Sequence, residues 1–246
     1  MNMIGLIVEL LLSWMLLKFV EKQGLEVIGW KPNRQRVVQF TLGLLIPIVY
    51  VIVLQWSLAV LTKNPYRVNP NYTVIDFFRA AAYVFRSVAY ENLIFTGALL
   101  YVLARRVGPQ WAILISGVAF GIYHWFSWEL WGDPVRMLIV FLMTGVAGYI
   151  WALAFVRTQS IYLPFGLHYG IDFAGMVLFS QDKRIGHQLL IHTFDKDPAA
   201  PGGVIAIIMI IIYYAGFPLV SWLYVRGQGH SMDPGDGHNI VKKDRI

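Results

Sequence analysis

Long stretches without a charged residue are the feature that most constrains this chain. Residues 37–61, for example, contain no Asp, Glu, Lys or Arg, and about 20 apolar residues are enough to cross a bilayer. Only 14% of all residues are charged and 57% are hydrophobic, whereas an ordinary soluble domain has about 25% charged residues. The chain therefore has too little polar surface for a water-soluble globule. We predict an all-α, polytopic membrane helix bundle.

The apolar stretches predict about seven transmembrane helices in a single membrane domain, residues 1–246. Glu9 lies inside the first stretch, so a position at the membrane interface is an alternative for that helix. A polar tail is predicted for residues 227–246. The seven predicted spans are residues 2–20, 37–61, 77–103, 110–126, 137–156, 161–179 and 204–225.

The distribution of basic residues between the predicted spans indicates how the chain is oriented. Of the twenty Lys and Arg residues, twelve lie on the side of the C-terminus and six on the other, and Arg79 and Arg86 belong to or border the third span. Loops rich in Lys and Arg remain cytoplasmic. We therefore expect a cytoplasmic C-terminus and, with seven spans, an external N-terminus. The small size and the lack of a targeting signal favour a prokaryotic plasma membrane.

Four ionisable residues stand inside predicted spans. They are Glu91 in the third, His124 in the fourth, and His168 with Asp172 in the sixth. A charge near the centre of a bilayer costs at least about 2.5–3.5 kcal/mol, so such residues are functional candidates by default. His168 and Asp172 are four residues apart and share one face of their helix.

Two of these spans also contain a pair of glycines spaced for close helix packing. Gly117 and Gly121 precede His124 on the same face, which predicts that His124 points toward a neighbouring helix. Gly166 and Gly170 lie on the side opposite His168. That helix is therefore expected to pack closely on one face and to present its imidazole on the other.

The chemistry of such a site stays open at this point. Each residue alone is compatible with a structural hydrogen bond between helices, but four of them on three helices indicate a buried polar site. A carboxylate with imidazoles suits the activation of water, the ligation of zinc or a proton relay. The chain has no Cys, which excludes a thiol nucleophile.

Three motifs around these residues resemble those of the CPBP, or ABI, family of CAAX-processing and bacteriocin-processing intramembrane proteases. Residues 89–100 resemble its EExxxR motif, residues 113–124 its FxxxH motif and residues 160–173 its HxxxN/D motif. Order and spacing both match, and the resemblance extends from about residue 90 to residue 179. The matching positions are Glu91, Phe120, His124, His168 and Asp172.

The resemblance implies an all-helical fold with a catalytic core at about residues 77–180 and a cavity open to the cytosol. Glu91 would activate the water, assisted by His124, while His168 and Asp172 would bind the water or stabilise the oxyanion. Since His124 falls near the outer end of its span, either the helix extends past Trp128 or the predicted orientation is partly wrong. The expected partners are the lipid bilayer and a membrane-anchored or leader-bearing protein substrate, not nucleic acid. The sequence leaves the oligomeric state open.

The chain departs from the first motif at two positions. Asn92 stands in place of the second Glu, and Thr96 stands in place of the Arg. The spacing of four lets these side chains hydrogen-bond on one helix, and the loss of both charges leaves no unpaired buried charge. We interpret them as a structural pair that was substituted in concert. The alternatives are a catalytically inactive member acting as a membrane scaffold or regulator and an ion- or proton-coupled carrier, which the lack of an internal repeat disfavours.

No cofactor is favoured, although a divalent metal such as zinc is an alternative, with His124, His168 and Glu91 as its ligands. The carboxylate of Asp172 favours a protonated His168 imidazole, whereas metal binding needs the neutral ring. We therefore predict water activation without a metal. A weaker metal candidate is a polar loop, which contains His187, His192, Asp182, Asp195 and Asp197.

Overall fold

The computed structural model describes residues 3–179, 187–199 and 201–229, and in them it confirms an all-α bundle. A π-helical segment, Leu16–Glu21, extends α1, and a 3₁₀ turn, Leu25–Ile28, precedes α2. Two further π-helical segments are Phe173–Leu178 after α7 and Ile212–Gly216 between α8 and α9. The helices are α1 (Met3–Met15), α2 (Arg34–Leu61), α3 (Val74–Phe95), α4 (Ala98–Val107), α5 (Pro109–Ser127), α6 (Pro134–Thr158), α7 (Tyr162–Asp172), α8 (Gly203–Ile211) and α9 (Phe217–Arg226).

Four helical stretches are long and apolar enough to cross a membrane: Arg34–Leu61, Val74–Val107, Pro134–Thr158 and Gly203–Arg226. Large apolar side chains cover much of the outer surface, and α8 buries none of its described residues. Apolar surface of this extent marks contact with a membrane or a partner rather than with water. The protein is an integral membrane protein, and the number of seven spans stays a prediction.

The third predicted span is interrupted. The sequence predicts one helix over residues 77–103, but α3 ends at Phe95 and α4 begins at Ala98. At the end of α3, the Ser116 hydroxyl of α5 donates a 2.7 Å hydrogen bond to the Phe95 carbonyl. Carbonyls at a helix end need such partners, and α5 supplies one from a distant part of the sequence.

The predicted close packing at the glycine pairs is confirmed. A Cβ at Gly166 would lie 2.6 Å from the Phe40 carbonyl oxygen, and one at Gly170 would lie 2.6 Å from that of Leu44, so α7 packs directly on the backbone of α2. On α5, a Cβ at Gly117 would lie 2.9 Å from the Gly145 carbonyl oxygen of α6. These contacts fix the positions of the two helices that carry the histidines.

A short β-ribbon, absent from the predictions, closes one end of the bundle. Strands β1 (Tyr66–Val68) and β2 (Leu190–His192) pair antiparallel. Asn64, only 1% exposed, connects the chain before β1 to the chain after β2. Its amide donates to the Phe194 carbonyl at 3.0 Å and to Asp197 Oδ1 at 2.8 Å, and its oxygen accepts from the Phe194 N–H at 2.9 Å.

We expect Asn64→Ala to loosen the segment after β2, because it removes the three hydrogen bonds that the buried Asn64 side chain makes to Phe194 and Asp197. An ordinary hydrogen bond contributes about 0.5–1.5 kcal/mol to stability. Amide hydrogen exchange of residues 190–197 should accelerate accordingly, while exchange in α7 stays unchanged. Asn71→Ala, at an exposed position near the same ribbon, is the control. Equal exchange rates in both variants would contradict the inference that Asn64 holds the segment after β2 in place.

Candidate active site

Helices α3 and α7 bring three of the four candidate residues together. His168 Nε2 lies 3.6 Å from Glu91 Oε2 and 3.4 Å from Asp172 Oδ2. The side chains of His168 and Glu91 are 4% and 14% exposed, whereas that of Asp172 is 35% exposed. The imidazole is thus enclosed, and one of its nitrogens faces two carboxyl groups at the more open side of the cluster.

The Phe120 ring lies next to both His124 and His168. The Phe120 ring centroid lies 4.5 Å from that of His124 and 5.8 Å from that of His168, edge-on to both. His124 Nδ1 lies 2.9 Å from the Phe120 carbonyl oxygen. Helix α5 ends at Ser127, so it does not extend past Trp128 and His124 remains in its last turn.

Two contacts of His168 have no signal in the sequence. The Trp151 indole of α6 stacks on the imidazole, with ring centroids 3.7 Å apart and planes inclined by 16°. The Asn92 Nδ2 of α3 lies 2.8 Å from His168 Nδ1. Trp151 stands in an apolar stretch and Asn92 belongs to the predicted structural pair, so neither position indicated contact with the site.

The predicted hydrogen bond between Asn92 and Thr96 is confirmed. The Thr96 hydroxyl lies 2.7 Å from Asn92 Oδ1 and 3.0 Å from the Asn92 carbonyl oxygen. Asn92 Nδ2 also donates to the Val88 carbonyl oxygen at 2.9 Å. Asn92 and Thr96 are 6% and 1% exposed, so this network is buried.

An apolar cavity of about 440 Å³ adjoins the site between α1, α2, α3 and α7. Asn92 is its one polar amide, and Glu91 and His168 do not line it. A volume of this size suits an apolar ligand or side chain. The lining residues are Leu6, Ile7, Leu10, Trp30, Phe40, Phe85, Ala89, Asn92, Leu93, Ile161, Tyr162 and Phe165.

Within the described ranges, no group of three or more His, Cys, Asp or Glu side chains is arranged to hold a metal ion. In the polar loop, His192 stacks on Tyr66 with Nδ1 2.9 Å from the Asn64 carbonyl oxygen, and Asp197 accepts from Asn64. His192 and Asp197 thus make contacts within and beside the β-ribbon. Asp182 lies outside the described residues.

Fold and site together define a class: an integral membrane protein with a carboxyl–imidazole cluster buried inside a helix bundle. Residues 73–174 match the family described as type II CAAX prenyl endopeptidase Rce1-like. The match covers the three motifs and all five matching positions, so the similarity to the CAAX protease family that the motifs indicated is confirmed over these residues. Comparisons with curated proteins and with solved structures gave no match.

Proposed function

We propose that this protein is an intramembrane endopeptidase that hydrolyses a peptide bond of a membrane-anchored or leader-bearing protein with water activated by Glu91. The observation that carries the proposal is the buried Glu91 carboxyl group 3.6 Å from His168 Nε2, inside the segment that matches a protease family. A carboxylate with a nearby imidazole is the minimum needed for general-base attack by water and stabilisation of the oxyanion that forms.

In the proposed reaction, the Glu91 carboxylate takes a proton from water while the water oxygen bonds to the scissile carbonyl carbon. His168 and Asp172 orient the water or stabilise the resulting tetrahedral oxyanion. The carbon–nitrogen bond then breaks, and the proton held by Glu91 passes to the leaving amine. The Phe120 carbonyl accepts from His124 Nδ1, which leaves the Nε2 of that ring free to accept a hydrogen bond from the water.

The apolar lining of the cavity favours a substrate that enters from the membrane. Its lining carries almost no polar group and it reaches Asn92, the sequence neighbour of Glu91. We propose that it receives an apolar part of the substrate. The family description names a prenyl endopeptidase, so a lipid-modified segment is one such part, and an apolar leader helix is another. We further propose that this membrane is a prokaryotic plasma membrane.

The proposal is tested by comparing protein termini in membranes from three host strains: wild type, gene deletion and Glu91→Gln at matched expression. We expect a protein terminus that is produced by cleavage in the wild type to be absent from both the deletion strain and the Glu91→Gln strain, because both lack the Glu91 carboxylate as general base. The vanished terminus identifies the substrate. Restoration of the wild-type profile by Glu91→Gln would contradict proteolysis and favour the scaffold alternative, which the neutral Asn92 and Thr96 motivate.

A further inference from the structure

The Asn92 side chain makes a hydrogen bond at each end of its amide, and together these bonds determine which end faces His168. Nδ2 lies 2.9 Å from the Val88 carbonyl oxygen and 2.8 Å from His168 Nδ1, while Oδ1 lies 2.7 Å from the Thr96 hydroxyl. A reversed amide would place its oxygen 2.9 Å from the Val88 carbonyl oxygen, so that two acceptors would face each other. The NH₂ group therefore faces the imidazole.

This orientation decides where the imidazole proton sits. An amide NH₂ is only a donor, so His168 Nδ1 has to accept and the ring proton is carried on Nε2. Nε2 is the atom that faces Glu91 and Asp172, at 3.6 and 3.4 Å. His168 thus presents an N–H donor to the carboxyl side of the site.

His124 has the opposite arrangement. Its Nδ1 lies 2.9 Å from the Phe120 carbonyl oxygen, a group that only accepts, so Nδ1 carries the proton and Nε2 is an acceptor. The two histidines therefore offer complementary functions at Nε2: His124 an acceptor for a water proton, and His168 a donor for an oxyanion. Asp172 faces Nε2 of His168, and Asn92 occupies Nδ1 as a donor.

We propose that Asn92 and Thr96 are positioning residues that hold His168 in its Nε2–H tautomer for the reaction. This inference rests on the proposed function. Thr96 acts through Asn92, because its hydroxyl holds the amide oxygen away from the imidazole. The Glu that the family motif has at this position would instead accept a hydrogen bond from Nδ1–H. The departure from the motif therefore changes the proton arrangement of the site rather than removing the site.

The tautomer is tested by NMR of the full chain in lipid nanodiscs with ¹⁵N-labelled histidine, the His168 signals being assigned by their loss in His168→Gln. We expect a protonated Nε2 and an unprotonated Nδ1 for His168. Asn92→Asp is nearly isosteric but offers an acceptor, so Nδ1 should become protonated, with the His124 signals unchanged. Hydrolysis should fall by about 10²-fold or more, because a wrong tautomer impairs a catalytic imidazole even when its geometry is intact.

A second pair of variants keeps the inference testable if Asn92→Asp does not fold. Thr96→Val removes the hydroxyl that holds the Asn92 oxygen but leaves the Val88 contact, so a minor share of the Nδ1–H tautomer of His168 should appear, and Thr96→Ser should keep the wild-type signals. An Nδ1–H tautomer in the wild type, or an unchanged tautomer in both Asn92→Asp and Thr96→Val, overturns the inference. The NMR measurement needs no activity. If the tautomers behave as expected but the wild type cleaves no peptide bond, the proposed function fails instead.

Discussion

Replacing Glu91 with Gln is expected to reduce peptide-bond hydrolysis by about 10³-fold or more, while the protein stays folded. General-base catalysis contributes about 10²–10⁴-fold, and an amide cannot take a proton from water. The measurement is the cleavage rate of the substrate by purified protein in proteoliposomes, with the substrate identified from the host termini. The same preparation gives the midpoint of thermal unfolding, Tm.

The stability measurement separates a catalytic Glu91 from a structural one. The carboxyl group is largely buried beside Asp172 and makes no hydrogen bond to a backbone group that the structure describes. Because an ionised group is costly to bury, the Gln variant should have an equal or higher Tm. Glu129→Gln, at an exposed position, is the matched control and should retain full activity. A lower Tm with retained hydrolysis in Glu91→Gln would indicate a structural role.

Gly166→Val is expected to destabilise the protein by about 3 kcal/mol, the upper end of the usual cost of overpacking a core. A Cβ at this position would lie 2.6 Å from the Phe40 carbonyl oxygen and 3.2 Å from the Gly43 Cα of α2. Neither backbone atom can move aside without displacing its helix. The two helices would have to separate, and α7 carries both His168 and Asp172, so hydrolysis should be lost as well.

The control for this variant is Gly175→Val, in the π-helical continuation of α7. A Cβ at Gly175 would meet no atom of another segment within 4 Å, so the same β-branched residue should change Tm by only a small amount. Thermal unfolding of both variants in one detergent makes the comparison. If the two variants lost equal stability, the effect would come from valine's helix propensity, and the close approach of α7 to α2 would not be the cause.

Much of the fold and part of the site could be predicted from the sequence. Charge-free stretches of membrane length indicated a helix bundle because no other element satisfies its own backbone in lipid. Helical periodicity placed His168 and Asp172 on one face, with Gly166 on the other. Both signals are local. They depend only on residues within a few turns of each other, and the structure retains them.

The contacts between distant segments were decided by the tertiary structure alone. The Ser116 hydroxyl of α5 donates a hydrogen bond to the last residue of α3. Strand β1 pairs with a segment more than a hundred residues later, and the Trp151 indole of α6 stacks on the His168 ring. Spacing along one helix predicted that Asn92 and Thr96 would bond to each other, but not that the remaining Asn92 donor would meet an imidazole of α7. Periodicity states which face of a helix is buried. It does not state which side chain lies opposite, because that depends on how closely two helices approach and in what register, and both are set by packing over the whole bundle.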